Sequence, residues 1–146
     1  MAIQTIGVIG AGTMGNGISQ ACAAAGLRVV MLDVNEVALQ KGLATISGSL
    51  DRLVRKEKLT EGQKADTMGR VTATTRYADL RDVDFVIEAA TENEALKIKI
   101  LKEVEAAVRS DVILATNTSS ISITAWRQRQ RTLLNSSGRT FLIRCR

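Results

Sequence analysis

Three glycines in six residues, Gly10-Ala11-Gly12-Thr13-Met14-Gly15, stand between a short apolar run, Ile6 to Ile9, and a stretch where Ile18, Ala21, Cys22 and Ala25 recur at helical spacing. A strand, a tight turn and a helix account for that order, with Gly26 as the helix stop. Arg28 to Asp33 follows as a second strand. Val29 to Leu32 is continuously apolar, as in a parallel strand covered on both faces. The unit is strand–helix–strand, and an acidic residue closes it.

The same alternation continues along the chain. Asn35 can cap a long helix whose Leu39, Leu43, Ile46, Leu50 and Leu53 form one stripe, with Arg52, Arg55, Lys56 and Lys58 near its end. Thr60-Glu61-Gly62-Gln63 fits a capping box for a further short helix. Val71 to Thr74 and Asp84 to Ala90 read as strands, about Glu94 to Arg109 as a helix, and Val112 to Ala115 as a fifth strand ending at Asn117-Thr118-Ser119-Ser120. Strands alternating with helices predict an α/β fold, a Rossmann-type doubly wound parallel sheet.

The glycine turn suits a dinucleotide. Gly10 permits the tight turn, Gly12 lets the backbone approach a pyrophosphate, and Gly15 lets helix and strand pack closely. The helix N-terminus offers free N–H groups and a partial positive charge. Asp33, 18 residues after Gly15, can accept hydrogen bonds from ribose hydroxyls. A 2′-phosphate there would meet a carboxylate, and Val34 and Asn35 supply no Arg, so NAD is favoured over NADP. The plainer alternative, a glycine turn with an Asp that caps the next helix, explains each half alone but not their coincidence. Glu92 and Asn93 after the fourth strand, and Asn117, Thr118 and Ser119 after the fifth, lie at the carboxyl edge where ligands bind in such sheets; helix capping is an equal account of Glu92 and Asn93.

The chain has 146 residues and is 45% apolar, enough for one core. No apolar run approaches the roughly 18 residues of a membrane helix, and no basic segment with an apolar stretch opens the chain, so a soluble cytoplasmic protein is expected. With no His, imidazole catalysis and His-ligated metal are excluded for this chain, and Cys22 and Cys145 suggest neither a zinc site nor a disulfide framework. The net charge of +5 would suit nucleic acid, but its distribution does not. Met1 to Asp111 holds 14 Lys plus Arg against 15 Asp plus Glu, whereas the rest has no acid and six arginines, Arg127, Arg129, Arg131, Arg139, Arg144 and Arg146. Two segments are expected, a domain over 1–124 and a basic, poorly ordered tail over 125–146.

The glycine run, with Ile87-Glu88-Ala89-Ala90-Thr91-Glu92-Asn93 and Thr116-Asn117-Thr118-Ser119-Ser120, resembles the 3-hydroxyacyl-CoA dehydrogenases, in order and at family spacing, over Met1 to about Thr124. The resemblance implies NAD as cofactor, held by Gly10, Gly12, Thr13, Met14, Gly15 and Asp33, with Glu92 and Lys97 on its ribose and nicotinamide side. It implies an acyl-CoA substrate, with Ser119 on the 3-hydroxyl, Asn117 supporting that loop, and Ser49 and Lys56 touching CoA. It implies hydride transfer from C3 of the substrate, with a His that takes the hydroxyl proton and a Glu that orients it. Both are missing here, so the chain is expected either to be such a dehydrogenase by descent or, as written, an NAD-binding module without turnover, lacking the family's helical domain and dimer interface. No membrane or nucleic-acid partner is implied.

After the serine loop the family continues with a helix and a strand reading approximately Phe-Ile-Gly-x-His-Phe-Phe-Asn-Pro-Val-Pro. Reading the third base of each codon with the first two of the next, Arg139–Thr140 can encode His, Thr140–Phe141 Phe, Ile143–Arg144 Pro and Arg144–Cys145 Val; Asn135 to Gly138 can encode Phe-Ile-Gly. The sequence is therefore expected to have lost a base near the Thr124/Ala125 junction. A genuine basic tail for an acidic partner is the alternative. Residues 125–146 are expected to add no sixth strand, because Phe141-Leu142-Ile143 is their only apolar run and arginines flank it; weak docking of that run on the edge beside Val112 to Ala115 is the rival outcome.

Overall fold

The computed structural model describes residues 2–117 and 141–144. Its elements are β1 (Thr5–Ile9), α1 (Thr13–Ala24), β2 (Arg28–Leu32), α2 (Glu36–Arg55), α3 (Glu61–Gly69), β3 (Val71–Thr74), a 3₁₀ turn (Tyr77–Leu80), β4 (Phe85–Glu88), α4 (Glu94–Ala107), β5 (Ile113–Asn117) and β6 (Phe141–Arg144). All strands are parallel, in the order β3-β2-β1-β4-β5-β6. The order reverses at β1, between β2 and β4. A crevice therefore opens beyond the carboxyl ends of β1 and β4, where open α/β sheets bind ligands.

Strand alternation divides the core between the two faces. Val29 and Met31 of β2, with Ile6 and Val8 of β1, pack on the side of Ala23, Leu39, Ile46 and Leu50. Ile9, Leu32, Val86 and Leu114 pack on the other side against Ile100 and Val104 of α4, Val108 just after it and Leu80 of the 3₁₀ turn. The expected cap and box are both present: Asn35 accepts from the Ala38 N–H, and Thr60 and Gln63 close a reciprocal capping box.

Two expectations are corrected. Strand β4 stops at Glu88 rather than Ala90, because the Glu88 carboxylate turns back to accept the Ala90 N–H at 2.9 Å and draws the chain out of the ladder. Residues 125–146 do contribute a strand: β6 pairs in parallel with β5, Leu114 opposite Phe141 and Asn117 opposite Arg144. Ladder bonds join backbone groups, which every non-proline residue carries, so one short apolar run suffices to occupy the open edge of β5 despite the flanking arginines.

Candidate functional site

The glycine turn lies at the switch between β1 and β4. Gly10 sits at φ +105°, a conformation that L side chains rarely adopt, and a Cβ there would lie 2.8 Å from Ala90 Cα and 2.9 Å from the Ala89 carbonyl oxygen. A Cβ on Gly15 would fall 1.8 Å from the Gly10 carbonyl oxygen, so only glycine lets α1 start so close to β1. Gly12 differs, since a Cβ there would meet nothing within 4 Å. It is also the N-cap of α1, and no side chain caps that end. The first turn of α1 therefore starts without a side-chain cap, at a residue with free space beside it, which suits a phosphate.

Asp33 projects from the end of β2 toward the same turn. Its Oδ2 accepts the Ala11 N–H at 3.1 Å and its Oδ1 the Asn35 N–H at 2.9 Å, leaving lone pairs on both oxygens for incoming hydroxyls. Beside it is a cavity of about 500 Å³ lined by Asp33, Val34, Tyr77, Leu96 and Ile100 among others. Burial, aided by the charges of Glu103 and Asp33, pushes the Tyr77 phenol above its ordinary pKa, so at neutral pH it keeps its proton as a donor. Val34 is 75% exposed, an apolar side chain at the rim with space to cover a base. A second cavity of about 310 Å³ is lined by Gly12, Thr13, Met14, Ala89, Ala90, Thr91 and Glu92. Ala90 lines both cavities, and the two spaces flank the Gly10–Ala90 contact. An adenosine beside Asp33, a diphosphate over Gly12 and a second nucleoside beside Glu92 fit this layout, so the residues present suit NAD.

The other candidate residues fall into distinct places. Asn93 caps α4, its Oδ1 accepting the Leu96 N–H at 3.0 Å. Ser49 accepts from Gln20 on the α1–α2 side, and Lys56 is the exposed C-cap of α2; neither lines the two cavities. Helix rise places Ser49 about 20 Å along α2 from the Asp33 end. Asn117 is the last residue of β5, and Ser119 lies outside the described residues. Burial pushes the Cys22 thiol above its ordinary pKa, so it is no reactive thiolate. Among the described residues no cluster of His, Cys, Asp and Glu could hold a metal, and no helix is long and apolar enough to cross a membrane.

Lys97 is fully enclosed. Its ammonium lies 2.6 Å from Glu88 Oε2 and 3.1 Å from Thr116 Oγ1, and the Thr116 hydroxyl donates to Glu88 Oε2 at 2.8 Å. Sequence reading missed Glu88, Thr116 and Tyr77. A carboxylate inside the otherwise apolar strand Phe85-Val86-Ile87-Glu88 was the available signal for the first, since a buried charge requires a partner.

The fold and the site define a dinucleotide-binding domain. Residues 5–134 match the family model described as 3-hydroxyacyl-CoA dehydrogenase, NAD binding domain. The chain belongs to this family of NAD-dependent 3-hydroxyacyl-CoA dehydrogenases, of which its NAD-binding domain is the part present. It is 48% identical over 122 residues to 3-hydroxybutyryl-CoA dehydrogenase of Bradyrhizobium diazoefficiens, covering 84% of this chain and 42% of that protein. Over 122 residues it is 42% identical to a fatty acid oxidation complex subunit alpha of Psychrobacter sp., covering 84% of this chain and 17% of the subunit. The crystal structure of (S)-3-hydroxybutyryl-CoA dehydrogenase from Ralstonia eutropha superposes with a TM-score of 0.82 at 59% identity, over 85% of this chain and 44% of that one. The chain thus spans less than half the length of these relatives.

Proposed function

We propose that this chain binds NAD(H) across the β1/β4 crevice, as the cofactor half of an enzyme that oxidises short 3-hydroxyacyl-CoA thioesters to 3-oxoacyl-CoA. One observation carries the reading: an uncapped helix end at Gly12 and the Asp33 carboxylate line two adjoining cavities that meet at Ala90. Gly10, Gly12, Thr13, Met14 and Gly15 surround the diphosphate, Asp33 takes the adenosine ribose, and Glu92 lies on the nicotinamide side. When bound, NAD supplies the hydride acceptor. In the complete enzyme Ser119 holds the substrate hydroxyl, Asn117 steadies its loop, and Ser49 and Lys56 meet the CoA moiety. Lys97, which the resemblance places on the same side as Glu92, pairs with Glu88 and Thr116 at the ends of β4 and β5.

The 146-residue chain alone binds without turnover, having no His to take the hydroxyl proton. A missing general base alone typically costs about 10²–10⁴ in rate. We further propose that residues 125–146 are read out of frame. The curated alignments span 121–122 residues, close to the length that precedes the proposed junction, although the family model runs ten residues past it, to 134. Resequencing codons 123 to 127 tests the frame.

Isothermal titration with NADH and NADPH tests the binding. Tighter NADH binding is expected; equal affinity or a reversed preference overturns the assignment. An assay with 3-hydroxybutyryl-CoA and NAD should give no measurable rate, and turnover at a rate typical of enzymes disproves the inactive reading.

A further inference from the structure

We propose that Gly42 of α2 is a positioning residue for the diphosphate: its bare backbone seats Ala11, and through Ala11 it sets where Gly12 meets the ligand. This rests on the NAD-binding reading above. Leu39, Ile46 and Leu50 of α2 are buried in one cluster with Ala11 and Met31. Gly42 is buried on the same stripe, three residues after Leu39 and four before Ile46, so the helix face that packs on the glycine turn has a gap in its row of side chains. The turn itself fills that gap. A Cβ on Gly42 would lie 2.8 Å from the Ala11 carbonyl oxygen, 3.3 Å from the Ala11 Cβ and 3.4 Å from Met31 Cε. The end of Met31 can swing aside, but a backbone carbonyl cannot move without taking the turn with it.

Ala11 is held from the other direction as well. Its N–H donates to Asp33 Oδ2 at 3.1 Å, and the Gly10 N–H donates to the Leu32 carbonyl oxygen at 2.7 Å. Gly12 follows directly, is the N-cap of α1 and lines the cavity that reaches Glu92. Displacing Ala11 therefore displaces the start of α1, and hydrogen bonds from its N–H groups to a phosphate weaken steeply with poorer distance and angle. Gly48, on the same helix, provides the contrast: a Cβ there would meet nothing within 4 Å. Alanine raises helix propensity equally at both positions, so the two substitutions differ in what the new methyl touches.

The full chain and the variants Gly42→Ala, Gly48→Ala and Ala11→Gly are compared by amide NMR without ligand, by thermal melting and by the NADH dissociation constant from fluorescence. In Gly42→Ala we expect shifted Ala11 and Gly12 amide signals and a dissociation constant about 10-fold higher, the scale of one lost hydrogen bond to a charged group. Gly48→Ala should melt higher and leave the signals and the constant unchanged. Ala11→Gly loosens the same contact from the side of the turn and adds backbone freedom there, so its dissociation constant should rise about 3-fold. If Gly42→Ala does not fold, Ala11→Gly decides, and an unchanged constant overturns the proposal. A folded Gly42→Ala that binds NADH like the parent overturns it, and so does one that binds weakly with both amide signals in place. Equal weakening by Gly48→Ala also overturns it, because any change in α2 would then act alike. If the unsubstituted chain fails to bind NADH, the functional reading falls, while the two amide signals still decide whether Gly42 positions the turn.

Discussion

A methyl group has opposite consequences at Gly15 and Gly12. Gly15→Ala would press a Cβ to 1.8 Å from a backbone carbonyl oxygen, so backbone must move. The expected outcome is a lowered melting temperature together with lost NADH binding. Gly12 has φ −68° and ψ −168°, which alanine adopts freely, and open space around it. Gly12→Ala should cost no more than about 1 kcal/mol of stability, the scale of a poorer N-cap, yet weaken NADH binding measured by titration, because its methyl occupies the approach path. Asp33→Ala should weaken NADH binding by about 1–3 kcal/mol, the scale of hydrogen bonds to a charged group. These residues were legible in the sequence because each answers a local demand: a positive φ, a close approach, a strand end. Glu88 and Thr116 were not, since their meaning is a mutual contact made across 28 residues of chain.

Short polar latches between elements fix where the strands begin and end. Asp84, just before β4, accepts the Gln4 N–H at 2.9 Å and the Thr5 N–H at 3.0 Å, and pairs with Arg109 after α4 at 3.1 Å. The backbone donors first, and Arg109 after them, hold its carboxyl below the ordinary aspartate range. A depressed pKa contributes stability that is complete above the unfolded value near 3.9 and is lost as the pH falls through the folded value. Urea unfolding should therefore show the stability difference between the parent chain and Asp84→Asn growing as pH rises from about 3 to about 6, then staying level. Asn93→Ala, which uncaps α4, should cost about 0.5–2 kcal/mol in the same assay. Helices α2 and α3 were legible to within a residue or two because Asn35 and the Thr60–Gln63 box announce their starts. The end of β4 was not, because Ile87-Glu88-Ala89-Ala90 gives no hint that the glutamate bends back on its own chain.

Across the whole molecule, the parallel order and the crevice followed from the alternation of strand and helix, whereas β6 ran against its local composition. Unpaired N–H and C=O groups on β5 are a template that sequence periodicity does not register. Deleting 141–146 should expose that edge, and light scattering should show the shortened chain associating where the parent chain does not. If scattering is unchanged, β6 is not what protects β5.

Gly10 and Ala90 touch, yet 80 residues separate them, and this spacing sets a timetable for synthesis. When the glycine turn emerges from a ribosome, the wall it must meet has not been made. At about 5–20 residues per second, roughly 4–16 seconds pass before Ala90 follows. Through that interval β1 and β2 can pair, but the crevice has only one side, and no cofactor can assist the nascent chain. Once β4 docks beside β1, any dinucleotide present stabilises the folded state by mass action. The cofactor thus rewards the completion of folding and does nothing to begin it.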